Sequence, residues 1–170
     1  MRSVELTFGE STDSSIRMDW ARLLEAGLPS MATHTAPSNR PHITLAAGNN
    51  LDFGSAGQDL WGGLPLDVRF SGLVVFPAGS GTYVLARLVV PAAGLLQIHS
   101  RLHQQCTGAF ANTLPDAWTP HVTLARRIPG DLLGTALDAL DVRTQGECTA
   151  ARLWDSPTRT TMTLGGWPEG

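Results

Sequence analysis

Residues 3–9 alternate apolar and polar side chains (Val4-Glu5-Leu6-Thr7-Phe8), which predicts a strand with one face toward a core. The period then changes. Ile16, Trp20, Leu23 and Leu24 fall at i, i+4, i+7 and i+8, so 12–26 is predicted as a helix. Ser11, Thr12 or Asp13 is available as its N-cap, and Gly27 and Pro29 stop it. The stretch 30–40 reads as loop, and 41–46 reads as a strand entered through a proline and broken by Gly48-Asn49-Asn50. Residues 51–63 are glycine-rich and read as a surface excursion with a short helical turn. Strands are expected over 66–75 and 83–89, with a turn at 77–81 between them. Pro91 suits the first position of a helix that runs to about Gly108 and buries Leu95, Ile98, Leu102 and Cys106. A strand over 119–126, a short helix near 130–140, and strands near 147–154 and 160–164 complete the chain.

The pattern repeats. Pro41-His42-Ile43-Thr44-Leu45-Ala46 returns as Pro120-His121-Val122-Thr123-Leu124-Ala125, an offset of 79 with only Ile43/Val122 differing. The same offset carries strand 4–8 onto 83–87, and Ile16 and Leu23 onto Leu95 and Leu102. A strand–helix–loop–strand unit is therefore used twice, over about 1–48 and 80–127. Two copies of one unit are expected to pack about a pseudo-two-fold axis with equivalent residues facing across the seam.

On a strand, residues two apart share a face. His42 and Thr44 point one way and Ile43 and Leu45 the other; His121 and Thr123 oppose Val122 and Leu124 in the same manner. One face suits a core, and the other offers an imidazole and a hydroxyl. Two such strands side by side give two histidines flanked by two threonines, a layout suited to cleaving a phosphodiester. One histidine takes a proton from the nucleophile, the other protonates the leaving oxygen, and the threonines hold the non-bridging oxygens. A single histidine on a strand is usually a packed or surface residue, but a polar pair repeated at one place in a duplicated unit is a poor choice for packing alone.

Composition narrows the chemistry. All twelve Lys+Arg positions are arginine. Schiff-base chemistry, a P-loop lysine and a lysyl–nucleotide intermediate are thereby excluded. With 170 residues, 42% hydrophobic content and a net charge of −3, the chain suits one domain over 1–170 with an ordinary core. An acidic balance argues against non-specific binding along a polyanion and leaves a small ligand or a nucleic-acid end. No signal-like start or membrane-spanning stretch is apparent, and Cys106 and Cys148 read as two reduced thiols, so a cytoplasmic protein without membrane contact is expected. Other candidates are weaker. His99 and His103 sit at i, i+4 on a helix and could share a metal, but no third ligand follows at a usual spacing, and no metal or cofactor is expected. His34 lies in the loop before the first motif. Tyr83, Trp118 and Phe8 are candidates to stack a base, with core packing the expected place of Phe8.

His42-Ile43-Thr44-Leu45 and His121-Val122-Thr123-Leu124 resemble the paired signature tetrapeptides of the 2H phosphoesterase superfamily, with the bacterial 2′-5′ RNA ligase-like proteins as the nearest branch. The motif spacing, the duplicated layout, the length and the closing segment 151–156 agree with the resemblance. It implies a bilobal α+β fold, with two antiparallel sheets around a central cleft and helices outside. It also implies hydrolysis of 2′,3′-cyclic phosphates of nucleotides or RNA ends, with reversible ATP-independent 2′-5′ ligation in part of the family. By the same resemblance His121 is the base and His42 the acid, roles that near-symmetry leaves exchangeable, and Thr44 and Thr123 bind the phosphate. Arg126 stands where the family often has an arginine after the second motif. Strand parity points it away from His121, so it reaches a phosphate only if the strand ends or twists there. Many relatives have a bulkier segment after the first motif than Ala46-Ala47-Gly48, which bears on the lip of the cleft. A monomer acting on a nucleotide or RNA end is expected. The alternatives are a non-catalytic nucleotide or RNA-end binding module on the same fold, and a phosphoesterase for another cyclic phosphate or a 2′-5′ linkage.

Overall fold

The computed structural model describes residues 1–53 and 58–166. Strands β1 (Arg2–Phe8) and β2 (His42–Gly48) flank helix α1 (Glu10–Glu25). Strands β4 (Thr82–Val89) and β5 (His121–Pro129) flank helix α2 (Ala93–Gln105) in the same order. Between and after these units come β3 (Leu66–Pro77), the short helix α3 (Leu133–Asp138), β6 (Gln145–Asp155) and β7 (Thr160–Gly166). All strand pairs are antiparallel, and the hydrogen-bonded order is β2-β1-β6-β3-β4-β5, with β7 added on β6. β3 is divided between two sheets. Leu66–Arg69 pairs with β6, and the remainder, after a register shift between Phe70 and Gly72, pairs with β4. The fold is thus α+β, with two antiparallel sheets joined where β3 meets β6, and both motif strands end up on outer edges.

Helix α1 shows how tertiary contacts override local signals. Its N-cap is Gly9 with no side-chain cap. Two of the expected caps are committed elsewhere: Thr12 Oγ1 accepts the Glu147 amide at 3.0 Å, and Asp13 pairs with Arg17 and Arg40. The buried stripe is Thr12, Asp13, Ile16, Asp19, Trp20 and Leu23, whereas Leu24, expected inside, is exposed. Asp19 takes the space a leucine would fill because Arg87 of β4, also buried, donates to it at 2.7 Å through Nε and reaches Asp141 O at 2.9 Å through Nη2. Arg143 Nη2 at 3.5 Å and Arg22 Nη1 at 4.0 Å add two further cations to Asp19. The pair links the first helix to the second sheet, and desolvating it is tolerable only because both charges are matched and hydrogen-bonded.

Helix α2 starts two residues later than Pro91 predicts, because Val90 still donates to Arg69 O at 2.7 Å as an extended residue. It ends at Gln105, so Cys106 is its half-buried C-cap rather than the last member of its apolar face. Both cysteines are free. The 51–63 segment is not a surface excursion where it is described: Leu51, Phe53, Leu60 and Trp61 are buried, with a 3-10 turn over Gln58–Leu60. The glycine-rich 54–57 part of that expectation lies outside the described residues. At the end of β2 the backbones crowd. A Cβ on Gly48 would stand 2.1 Å from Gly108 O, so only glycine lets the strand leave the sheet there. No helix among the described residues is long and apolar enough to cross a membrane.

Candidate active site

Both motif strands carry the same irregularity. In β2, Thr44 pairs with Glu5 and Ala46 with Val4, so Leu45 is an extra residue opposite no partner. In β5, Thr123 pairs with Ala86 and Ala125 with Leu85, so Leu124 is extra in the equivalent place. A bulge of one residue reverses the alternation beyond it. Leu45 and Ala46 are buried together, as are Leu124 and Ala125. On β5 the reversal returns Arg126 to the face that carries His121 and Thr123. Unbroken parity turns it away; the bulge supplies the required twist, and Arg126 lines the same hollow as His42 and Thr44.

The two edges are clamped to each other reciprocally. The Trp20 indole of the first half donates to Thr123 O at 3.1 Å, and the Trp118 indole of the second half donates to Thr44 O at 2.9 Å. Each motif threonine is thereby held through its own carbonyl by a side chain of the opposite half. His103 Nε2 adds a contact to Leu45 O at 3.1 Å, meeting the carbonyl of the bulged residue.

The histidines share one geometry. His42 Nδ1 lies 2.7 Å from Arg40 O, and His121 Nδ1 lies 2.7 Å from Thr119 O. Each ring donates its Nδ1–H to the carbonyl two residues back, across the intervening Pro41 or Pro120. That bond leaves Nε2 available to a substrate in both rings. Burial pushes the His121 imidazole below the ordinary histidine range, and the charges of His42 and Arg126 push the same way against the opposing pull of the Thr119 carbonyl. His121 also packs against the Phe76 ring, with centroids 4.7 Å apart. His42 faces a different neighbour. Its Nε2 is 3.6 Å from Glu5 Oε1, on a buried carboxylate that also accepts from Ser3 Oγ at 2.6 Å and Arg152 Nε at 2.9 Å. One imidazole therefore sits in an apolar, cation-flanked setting and the other beside a carboxylate.

His42, Thr44, Glu5 and Arg126 line a hollow of about 340 Å³, with His34 on its wall. Glu5, Arg152 and Phe76 lie outside both tetrapeptides. Alternation on β1 already puts Ser3, Glu5 and Thr7 on one polar face, but only the pairing of β1 with β2 and β6 shows that this face lies under the motif. Other expectations resolve differently. Tyr83 does not join the histidines: it pairs with Ile128 while His121 pairs with Leu88, five residues or roughly 17 Å along β4. Trp118 gives one ring face to His99, stacked at 3.9 Å and 6°, and its N–H to the strand, so it supports the site from behind. Phe8 is core, tilted against Phe70. His99 and His103 both turn Nε2 to backbone carbonyls, Thr113 O at 2.9 Å and Leu45 O at 3.1 Å, and act as struts between α2 and its neighbours. No cluster of three metal-ligating side chains occurs among the described residues.

Residues 12–154 match the model of the 2′-5′ RNA ligase superfamily. No curated protein matches the sequence. Among solved structures the chain is similar to Usb1 of Kluyveromyces marxianus, at 13% identity and a TM-score of 0.54, over 96% of each chain. The same protein solved with uridine monophosphate gives 12% identity and a TM-score of 0.53, again over 96% of each. The protein TT0787 of Thermus thermophilus gives 16% identity and a TM-score of 0.52, over 96% of this chain and 94% of that one. These likenesses agree with the fold traced above, and the family match spans both histidine strands, helix α2 between them and helix α1 from Thr12 onward: the chain belongs to the 2′-5′ RNA ligase superfamily, the 2H phosphoesterases.

Proposed function

We propose that the protein opens 2′,3′-cyclic phosphates of nucleotides or RNA ends by acid–base catalysis between His121 and His42. The observation that carries this reading is the matched pair of Nδ1–carbonyl bonds at 2.7 Å, which fixes the same tautomer in both rings and leaves each Nε2 without a backbone partner. The solved Usb1 complex with uridine monophosphate supports a nucleotide as ligand class.

The surroundings break the near-symmetry. His121, pushed down by burial, is neutral near pH 7 and suits the base. His42 has a carboxylate 3.6 Å from Nε2 that can pair with an imidazolium, and it suits the acid. His121 Nε2 takes a proton from water as the water oxygen bonds to phosphorus. The bond from phosphorus to O3′ breaks, and His42 Nε2–H delivers its proton to O3′. The products are a 2′-phosphate and a 3′-hydroxyl. The hydroxyls of Thr44 and Thr123 donate to the non-bridging oxygens, where negative charge concentrates, and Arg126 adds a cation. If a 5′-hydroxyl replaces water, the same steps give a 2′-5′ linkage. A chain without lysine has no route to a lysyl-adenylate, so any joining draws only on ring opening. The test is turnover of a 2′,3′-cyclic nucleotide by single-residue variants. His42→Ala and His121→Ala each lose at least about a hundredfold in kcat, and variants that keep near wild-type turnover contradict the mechanism.

A further inference from the structure

The polar face of the first sheet continues well past the histidine. Pairing places Thr44, Glu5, Arg152 and Thr163 on one rung across β2, β1, β6 and β7. Three strand spacings separate the ends of that rung, roughly 14 Å. Above it lies a second hollow of about 1050 Å³, bounded by the 36–40 segment on one side and the β6–β7 hairpin on the other. It is continuous with the catalytic hollow, because Ser38, Arg152, Trp154 and Ser156 line both. The groove exists because the side chains on this stretch of floor are short. Thr7 and Ala150 form one rung, and Thr161 and Thr163 stand opposite Trp154 and Arg152.

Its chemistry is one-sided. Arg40, Arg152 and Arg159 are its charged lining residues, and among the described residues no carboxylate lines it, in a chain whose net charge is −3. Arg40 and Arg152 are fixed in place by Asp13 and Glu5. Arg159 is carried on the hairpin turn with a left-handed φ of 56°. Trp154 stands at the junction of the two hollows, and the threonines add hydroxyl donors. Arginines, an indole and hydroxyls along a trough that leads out of a phosphate-cleaving recess match a single-stranded polynucleotide. The 340 Å³ recess lies at the low end of the range for small-ligand sites, and the groove offers about three times that space.

We infer that the groove over β6 and β7 is a second subsite that takes the nucleotide preceding the terminal one, so that the preferred substrate is a single-stranded oligonucleotide end rather than a free cyclic mononucleotide. The inference rests on the cyclic-phosphate reading for the position of the end, and it deepens that reading. Trp154 stacks the penultimate base or ribose, and Arg159 meets the phosphate beyond it.

The experiment compares cyclic-phosphate mono-, di- and tetranucleotides that share a terminal base, by kcat/KM on the full chain. Calorimetry with the matching 3′-phosphate mono- and tetranucleotides runs in parallel. The dinucleotide is expected to exceed the mononucleotide by at least about fivefold, the low end of what one stacked base supplies, and the gain is expected mainly in KM. Arg159→Glu and Thr161→Glu are expected to bring the ratio of the two substrates, taken on the same variant, down toward one. Equal kcat/KM for all lengths, or a preference that both variants retain, overturns the subsite. If no length is hydrolysed, the cyclic-phosphate reading fails, and calorimetry decides the groove alone. Tighter tetranucleotide binding that Arg159→Glu abolishes sustains it, and equal binding of mono- and tetranucleotide rejects it.

Discussion

His99 gives the sharpest prediction on stability. It is 2% exposed, stacked on Trp118, and bonded through Nε2 to Thr113 O. Burial pushes its pKa down to about 4, and the neighbouring His103 pushes the same way. In the unfolded chain a histidine titrates near 6.5. Above pH 6.5 the ring is neutral in both states and the folded contact is fully present. As the pH falls from 6.5 toward 4, the unfolded chain binds a proton that the folded ring refuses, so stability is lost through that window and levels off below it. A gap of about 2.5 pH units corresponds to roughly 3 kcal/mol. Urea unfolding between pH 7.5 and 4 measures this, with His99→Phe as the comparison. The variant keeps an aromatic face for Trp118 but leaves Thr113 O without its donor, which costs about 1–3 kcal/mol at pH 7.5. The wild type is therefore the more stable at pH 7.5, its advantage shrinks as the pH falls, and the two curves meet or cross near pH 4. Carboxylates and His121 contribute to the pH dependence of both proteins and cancel in the difference. If the difference between wild type and His99→Phe is flat from pH 7.5 to 4, the ring is not held neutral by burial.

Three further outcomes follow from other contacts. Arg126→Gln removes a cation that opposes protonation of His121, so the imidazole rises and the acid limb of kcat/KM moves to higher pH; an unmoved limb separates Arg126 from the base. Asp19→Ala leaves Arg87 buried without its carboxylate and lowers urea stability by about 3–5 kcal/mol, whereas a loss under 1 kcal/mol shows that water reaches Arg87. Glu5→Gln keeps one oxygen to accept from Arg152 and turns its amide N–H toward the Ser3 hydroxyl, but removes the negative charge beside His42; kcat falls on the order of tenfold with little change in KM, and an unchanged kcat makes Glu5 purely structural.

Much of this was legible in the chain. The duplicated His-x-Thr pair puts each histidine and its threonine on one strand face, because a polar position two residues from another on a strand must share its face; of the four, His42 and Thr44 line the 340 Å³ hollow. Element types followed from period, and the helix and strand copies at an offset of 79 fall where α2 and β5 stand. Three things were not legible, each for a physical reason. Arg126 reaches the cleft only through the bulge at Leu124, and local sequence does not announce an extra residue that pairing alone defines. Glu5 stood in a visible alternation, but its neighbours Arg152 and His42 lie 147 and 37 positions away, so its role depends on sheet order. Thr12 and Asp13 have the chemistry of helix caps and are instead drawn into contacts with Glu147, Arg17 and Arg40, which outweigh a local cap of about 1 kcal/mol.

The central claim is acid–base opening of a cyclic phosphate by two imidazoles in opposed settings. Phosphorus NMR of a 2′,3′-cyclic nucleotide incubated with the protein and EDTA tests it most directly. A single 2′-phosphate product is expected at a rate EDTA does not change, with a loss of at least about a hundredfold in either His42→Ala or His121→Ala. No turnover, a 3′-phosphate product, or a histidine variant that matches the wild type contradicts it.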